Sequence, residues 1–375
     1  MRVDIVDPPA YTPPYDHALA AALARAGADV RLLTSPFAFG AVPQADGYRT
    51  AEVFYRHVRG AAGTRLRTAV KAAEHVPGML RYRELATGAD VVHFQWLTLP
   101  WLDLRLLPRR PIVLTIHDPM ARGRLDRLVA PGRLLGSLPA VVVHTEAARC
   151  AVVDQGVDPA RVHVIRHGAF THLAPLVAAA ELPWELAKAV GERSGGAGRR
   201  PIALCFGLIR PYKGIETLLE AWRGVYGAEL WIVGRPMFDI TGLQAAAPPG
   251  VRFVTRFVSD SEQAALFDRA DLVVLPYERG ARFGFSGVLA TALGFGRPAV
   301  VSDVDGFAEL VDIGAIRAAP AGDAGALGRV LGELLTDEAE LRRLAAAARA
   351  AAQGPYSWDA VARATLDLYE RISSK

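Results

Sequence analysis

Lysine is rare in this chain: Lys71, Lys188, Lys213 and Lys375 stand among 39 arginines. One of them, Lys213, lies in the turn Gly207-Leu208-Ile209-Arg210-Pro211-Tyr212-Lys213-Gly214, between the apolar run Ile202–Phe206 and a helical pattern. A strand, a basic turn and a helix N-terminus together make an anion site. The first-turn N–H groups lack partners, and the helix dipole favours negative charge there. Arg210 offers a planar donor fork and Lys213 a mobile point charge. A second turn, Phe283-Gly284-Phe285-Ser286-Gly287-Val288-Leu289, follows the run Leu272–Leu275 and opens a helix expected at 286–295. Its glycines let a ligand approach the backbone. Paired, the two turns predict a diphosphate held by backbone on one side and cations on the other; an exposed turn that merely carries two cations is the competing reading. The chain has no Walker A string and no GxGxxG after its first strand, which argues against P-loop and dinucleotide chemistry.

Alternating strands and helices must hold these turns in place. The expected strands are Val3–Val6, Val30–Leu33, Val91–Phe94, Ile112–Ile116, Ala140–His144 and Val162–Ile165, with a helix over Asp16–Arg25 stopped at Gly27. A second series follows: Ile202–Phe206, Glu229–Val233, Arg252–Thr255, Leu272–Leu275 and Ala299–Ser302. Helices are expected near 215–223, 260–269, 286–295, 322–334 and 337–352, and over Trp358–Ile372. Continuous runs such as Val141-Val142-Val143 read as strands buried on both faces, so the fold class is α/β with parallel sheets. Residues 173–189 look helical and precede the flexible stretch Ser194–Gly198. The expected architecture is two Rossmann-like, doubly wound domains facing a cleft, with ligands beyond the carboxyl ends of the strands.

Composition narrows the class. The 375 residues are 51% hydrophobic and 22% charged, which excludes disorder. Gly and Pro number 35 and 25 without a period, which excludes collagen-like chains. The two cysteines, Cys150 and Cys205, exclude a disulfide scaffold or a cysteine zinc site and predict a reducing, cytoplasmic setting. The acidic N-terminus and the lack of a long apolar run predict neither a leader nor a spanning helix. Residues 56–133 hold 14 basic against 6 acidic side chains. This excess predicts attraction to an anionic partner, either a membrane surface at the inner face or an anionic acceptor; a solvated arginine-rich surface is the alternative. No recognition module for nucleic acid is visible.

The ordered segments Asp90–Trp96, Val113–Asp118, Val162–Gly168, Phe206–Ala221, Ala270–Pro276 and Gly296–Asp303, with Tyr356-Ser357-Trp358-Asp359 near the end, resemble the retaining glycosyltransferases of family 4 over nearly the whole chain. The resemblance implies the GT-B fold: an acceptor domain over 1–172, a linker and donor domain over 173–355, and a last helix over 356–375 crossing back to the first domain. It implies a nucleotide diphosphate sugar as donor, a sugar, lipid-linked or small-molecule acceptor, and no cofactor. Lys213 matches the lysine that neutralises the diphosphate. The usual arginine position is Leu208 here, so Arg210 is the candidate substitute. The two glutamates usual around the Gly-rich turn fall at Phe283 and Thr291, so both carboxylates are absent. Glu278 is the candidate stand-in for the first, and the Thr291 hydroxyl for the second. A Ser-Gly-Val-Leu subset, as in Ser286–Leu289, also lacks the pair. The expected donor contacts are thus Gly207, Arg210, Lys213, Arg256, Phe257, Glu278, Gly284, Phe285, Ser286, Gly287, Val288, Leu289 and Thr291.

On the acceptor side, His117 ends a buried strand where the family places a sugar-contacting histidine, and a neutral imidazole can donate or accept there. Tyr15, Asp16, His17, Gln95, Trp96 and Asp118 join it as expected acceptor contacts, with Asp16 equally readable as a helix N-cap. His93 reads as structural. Cations at the leaving phosphate predict metal-independent transfer; Asp303-Val304-Asp305 has the form of a metal motif but follows the wrong strand. Two other readings stay open: a noncatalytic nucleotide-sugar-binding scaffold, favoured by the missing glutamates, and a GT-B-fold nucleotide-sugar epimerase, which needs acid/base carboxylates.

Overall fold

The computed structural model describes residues 1–37, 42–58, 64–118, 135–191, 200–280 and 285–374. The chain divides into two compact units. The first holds Met1–Gly168, Phe285 and the chain from Tyr356 onward; the second holds Ala169 to Gly280 and Ser286–Pro355.

The first unit runs β1 (Arg2–Asp7), α1 (Pro13–Arg25), β2 (Asp29–Thr34), β3 (Arg49–Glu52), α2 (Arg65–Leu85), β4 (Val91–Phe94), α3 (Pro100–Leu106), β5 (Ile112–Thr115), β6 (Ala140–Val143), α4 (Glu146–Asp154) and β7 (Val162–Val164). These strands form one sheet in the order β3-β2-β1-β4-β5-β6-β7, every pair parallel. Val3 lies opposite Val30 on one side and Val91 on the other. The core on one face joins Val6, Phe54, Tyr82, Phe94, Val141 and Val143.

The second unit runs α5 (Trp184–Gly191), β8 (Ile202–Phe206), α6 (Ile215–Trp222), β9 (Glu229–Val233), α7 (Thr241–Ala245), β10 (Val251–Val254), α8 (Asp260–Arg269), β11 (Leu272–Leu275), α9 (Gly287–Gly294), β12 (Ala299–Ser302), α10 (Asp305–Val311), β13 (Ile316–Ala319), α11 (Ala324–Thr336) and α12 (Glu338–Gln353). Its strands are again all parallel, in the order β10-β9-β8-β11-β12-β13. Trp222, Leu230, Leu272 and Leu331 belong to its core. In each unit the strand order reverses beside the first strand, between β1 and β4 and between β8 and β11. Such a reversal opens a crevice at the carboxyl ends of the two strands.

Most expected elements differ from the observed ones by a residue or two. Helix α1 begins at Pro13, with Thr12 as N-cap, so Asp16 lies in its first turn and is not the cap. Two prolines suit the first turn because their missing N–H groups would be unpaired there anyway. The helix expected over 173–189 is a 3-10 segment, Ala174–Ala179, followed by α5; Pro183 immediately precedes α5, and residues before proline avoid the α region.

The last helix, α13 (Trp358–Ser373), packs on α1 within the first unit. Arg25 pairs with Asp359 at 2.9 Å. A side chain on Gly168 would start 2.4 Å from the Trp358 indole, so only glycine admits that ring. Deeper, Tyr369 Oη lies 2.6 Å from Nδ1 of buried His93, whose Nε2 lies 2.7 Å from Thr115 Oγ1. The His93 ring is thus satisfied at both nitrogens by structural partners. Tyr369→Phe strands one buried ring nitrogen and should cost about 1–3 kcal/mol, read as a lowered urea midpoint; an unchanged midpoint would contradict this role.

Candidate active site

In the second unit, the chain leaves β8 at Gly207 and makes one 3-10 turn, Pro211–Lys213, before α6. Gly214 has φ +65°, and a Cβ there would lie 1.8 Å from the Pro276 carbonyl oxygen. This close approach fixes the start of α6 against the end of β11. Lys213 is buried, and its Nζ donates to Tyr277 Oη at 2.5 Å. That ammonium also sits 4.4 Å from the Tyr277 ring centroid. Tyr277 Oη in turn lies 3.2 Å from Ser286 Oγ, at the N-cap of α9. The two glycine-containing turns therefore meet: a Cβ on Gly207 would be 3.4 Å from the Val288 side chain and 3.5 Å from Lys213 Nζ.

Burial disfavours the Lys213 charge, while the hydrogen bond to Tyr277 and the charges that Tyr277, Tyr212 and Cys205 acquire on ionising hold the amine above the ordinary lysine value. The residue carries a full charge at neutral pH and forms no ion pair with a carboxylate among the described residues. A buried cation held only by neutral groups is costly and is stabilised by an anion. The unpaired N–H groups of the first turn of α9 add donors next to Ser286. Arg210 is exposed, with no side-chain hydrogen bond or ion pair among the described residues. Burial pushes the neighbouring Cys205 thiol up to about 11.

Other expected donor residues have separate surroundings. Leu289 is fully buried in the core. The Thr291 hydroxyl donates to the Gly287 carbonyl at 3.0 Å, leaving only its lone pairs for a ligand. Glu278 is exposed beside Gly214, and its backbone N–H donates to the Tyr212 carbonyl at 2.9 Å. Arg256 is engaged by Glu185 and Glu262, at 2.9 and 2.7 Å. Phe257 is exposed, with the Arg235 guanidinium 5.6 Å from its ring centroid. Phe285 belongs to the first unit, where its ring stacks on His167 at 4.8 Å. Phe283 and Gly284 lie outside the described residues. Asp303 pairs with Arg279 at 3.1 Å and accepts from the Ala321 N–H.

In the first unit, the loops after β1, β4, β5, β6 and β7 supply a cluster of rings. Buried Tyr15 meets His117 edge-on at 4.7 Å, His167 at 4.9 Å and Trp358 at 5.1 Å. Trp96 stacks on His117 at 5.2 Å and donates from its indole to Thr12 Oγ1 at 3.0 Å. Hydrogen bonds set the His117 tautomer. His144 Nδ1 lies 3.0 Å from the Ile165 carbonyl, which only accepts, so that nitrogen carries the proton. Burial pulls His144 down to about 4, so its Nε2 is bare at neutral pH and accepts from His117 Nδ1 at 3.2 Å. His117 Nε2 then faces the Gln95 amide at 3.2 Å. Gln95 is fully buried, and with Oε1 toward His117 its amide nitrogen has no partner among the described residues. Asp118 follows, half-buried.

Asp16 is buried beside Asp7. Burial and the Asp7 charge hold the Asp16 carboxyl well above the usual range, and burial raises Asp7 as well. Asp7 Oδ1 is buried without a hydrogen-bond partner among the described residues. Asp7 Oδ2 accepts from the N–H groups of Tyr11 and Thr12, at 2.7 and 3.2 Å. The pair therefore anchors the β1–α1 loop. His17 is buried and faces Tyr48, Nδ1 to Oη 2.5 Å. Sequence reasoning missed Tyr277, His144, His167 and Asp7. The histidines carried a signal, each lying just past an apolar run; Tyr277 and Asp7 had none beyond their place after a strand.

The description "Glycosyltransferase Family 4" matches residues 15–172, and "Glycosyl transferases group 1" matches residues 200–337. The chain is 30% identical to a D-inositol 3-phosphate glycosyltransferase of Xylanimonas cellulosilytica, over 95% of this chain and 90% of that protein. The chain belongs to the family 4 glycosyltransferases. This family 4 chain is also 35% identical to a phosphatidyl-myo-inositol mannosyltransferase of Mycobacterium leprae, over a stretch that spans only 44% of either protein. Among solved structures, sucrose-phosphate synthase from Thermosynechococcus elongatus gives a TM-score of 0.76 at 21% identity, covering 100% of this chain and 99% of that one. Anabaena HepE in complex with UDP-glucose gives 0.71 at 18%, covering all of both chains. These likenesses show that the two parallel sheets of the family 4 chain are those of the GT-B fold.

The buried imidazoles dictate a pH response. Burial holds His93 and His167 at about 3 and His144 at about 4, against 6.5 for the free side chain. Unfolding lets them take up protons, so their stabilisation is complete above pH 6.5 and drains as pH falls toward 4 and then 3. Each adds to the loss of stability across that window. The urea midpoint of the first unit should fall steeply between pH 6.5 and about 4.5; a flat profile would show that these rings are not held neutral.

Proposed function

We propose that the protein transfers a sugar from a nucleotide diphosphate sugar, bound by the second unit, to an acceptor hydroxyl bound by the first, with retention of anomeric configuration and without a metal ion. The buried Lys213 ammonium carries this reading: it faces Gly207 and Tyr277, whose hydroxyl meets Ser286, and has no carboxylate partner among the described residues. A diphosphate supplies the missing charge. As the sugar–oxygen bond breaks, negative charge grows on the leaving phosphate, and groups already aimed at it stabilise that charge without reorganising. Lys213 does this as a point charge, the α9 N-terminus as a set of N–H donors, and Arg210 as an exposed donor fork. Retention fits attack from the face that the phosphate leaves, with that phosphate taking the acceptor proton. His117, held in one tautomer by His144 and faced by Gln95, is suited to bind a hydroxyl of the acceptor. Two relatives are named for D-inositol 3-phosphate and phosphatidyl-myo-inositol, which supports a polyol or lipid-linked acceptor for this chain.

Calorimetric titration with UDP, GDP, ADP and dTDP identifies the nucleotide. Lys213→Ala should weaken that nucleotide by about 2 kcal/mol or more, roughly thirty-fold, and Arg210→Ala by less. Undiminished binding by Lys213→Ala would overturn the donor site. Transfer assayed with the nucleotide's sugar should continue at an unchanged rate in EDTA; a loss restored by Mg²⁺ or Mn²⁺ would overturn metal independence.

A further inference from the structure

Among the described residues, only Ala10 and Tyr55 are non-glycine residues with positive φ, at +53° and +48°. For a residue as bulky as tyrosine this left-handed conformation is strained and persists only where its surroundings hold it. Both serve one place. Ala10 precedes Tyr11 in the loop anchored by Asp7, and Tyr55 lies just past β3. The Lys71 ammonium, on α2, sits 5.6 Å from the Tyr11 ring centroid and 4.7 Å from that of Tyr55.

The Tyr55 ring is fixed from behind by a buried chain of side chains. Asp103 Oδ2 accepts from the Leu99 N–H at 2.8 Å, while Oδ1 lies 2.5 Å from His75 Nε2. The carboxylate takes the proton-bearing face of that imidazole, so His75 Nδ1 is left to accept from Tyr55 Oη at 2.7 Å. His75 and Asp103 are almost completely buried. The strained residue and this rigid chain hold one aromatic face under one ammonium.

Neutral rings attract a cation through their quadrupoles but leave its charge uncancelled. Lys71 forms no ion pair with a carboxylate among the described residues, and it is half-buried. Burial pulls its amine below the ordinary lysine value and nearby Arg67 adds to this, partly opposed by Asp7; an arriving anion would reverse the trend. Tyr11, Trp96 and His117 each follow a strand at the carboxyl end of the sheet, and Lys71 sits against Tyr11. From His117 the rings continue to Trp96, stacked at 5.2 Å, and to Tyr11, edge-on to Trp96 at 5.4 Å, and Lys71 closes the series. A molecule lying along these rings with one hydroxyl at His117 would place another substituent at Lys71.

We propose that Lys71, seated between Tyr11 and Tyr55, is the anion subsite of the acceptor site and takes a phosphate ester carried by the acceptor, with His75 and Asp103 as positioning residues for Tyr55. A phosphate ester fits because its oxygens accept from the ammonium while its negative charge meets both Lys71 and the Arg67 field on the same helix. This inference rests on the glycosyltransferase reading only in calling the ligand an acceptor. The binding itself needs no turnover.

The test titrates the full chain with D-inositol 3-phosphate and with uncharged myo-inositol, and separately with vesicles of phosphatidylinositol or of phosphatidylcholine. The phosphorylated ligand, soluble or as a lipid headgroup, should bind at least about ten-fold more tightly than its uncharged counterpart, and whichever form binds identifies the source. Lys71→Met keeps most of the stem and should abolish that preference without changing myo-inositol binding. Lys71→Arg should keep it. Tyr55→Phe, which retains the ring but loses the bond to His75, should weaken phosphate-ester binding about three-fold and leave a smaller preference. Nucleoside diphosphate binding, measured on each variant, reports that the chain is folded and tests the donor site separately. Equal binding of charged and uncharged ligands by the unmodified protein, or an undiminished preference in Lys71→Met, would overturn the subsite while leaving the donor site standing. Lost nucleotide dependence on Lys213 would overturn the donor site alone.

Discussion

Parallel pairing is the constraint from which the rest follows. Every strand of both sheets runs in one direction, so each connection must return across a face before the next strand begins. All carboxyl ends in a sheet therefore open onto one edge, where the following helices also begin. The reversal of order beside β1 and beside β8 parts the returning helices at one point along that edge. Asp7, Gln95 and Trp96 gather at the first reversal, and Gly207, Lys213 and Tyr277 at the second. The chemistry needs no special loop architecture, because the topology delivers these residues together.

The two units handle charge in opposite ways. The second keeps a cation buried and hydrogen-bonds it only to a phenol, so its site is electrostatically incomplete. The first buries imidazoles so thoroughly that they stay neutral, and the Ile165 carbonyl fixes which nitrogen of His144 carries the proton. An incomplete charge favours binding an ion, whereas a neutral tautomeric chain favours orienting a hydroxyl. This division matches a reaction in which one substrate departs as an anion and the other arrives as an alcohol.

Much of the fold was legible because buried parallel strands read as unbroken apolar runs: Val91–Phe94, Ile202–Phe206, Glu229–Val233, Leu272–Leu275 and Ala299–Ser302 end where the observed strands end. Strands β3 and β13 left no such signal. Both lie at sheet edges, and Arg49–Glu52 is exposed throughout while Ile316–Ala319 is buried only at its ends. Helix α2 was hidden by Pro77 in its interior and by its many exposed positions. At the site, Lys213 and His117 were visible because local order surrounds them: a strand before each, and a helix after Lys213. Arg256 is different. Nothing in the sequence near it announces Glu185, which the fold brings from α5 to share its guanidinium with Glu262. The Asp7–Asp16 pairing and the Trp358–Gly168 contact are likewise products of tertiary proximity, which residue spacing does not encode.

The first unit is discontinuous in sequence, and this has a consequence for synthesis on the ribosome. Its α1 and β4 emerge early, but the helix that covers them, α13, emerges last, after the entire second unit. Until then the nascent sheet exposes the surface that α13 covers, and the His93 imidazole lacks Tyr369. The second unit lies as an insertion within the first and has all its strands before the last helix appears. Domains tend to fold as units during translation, earlier ones first. Here the order inverts: the unit begun first is completed last, by its own C-terminal helix.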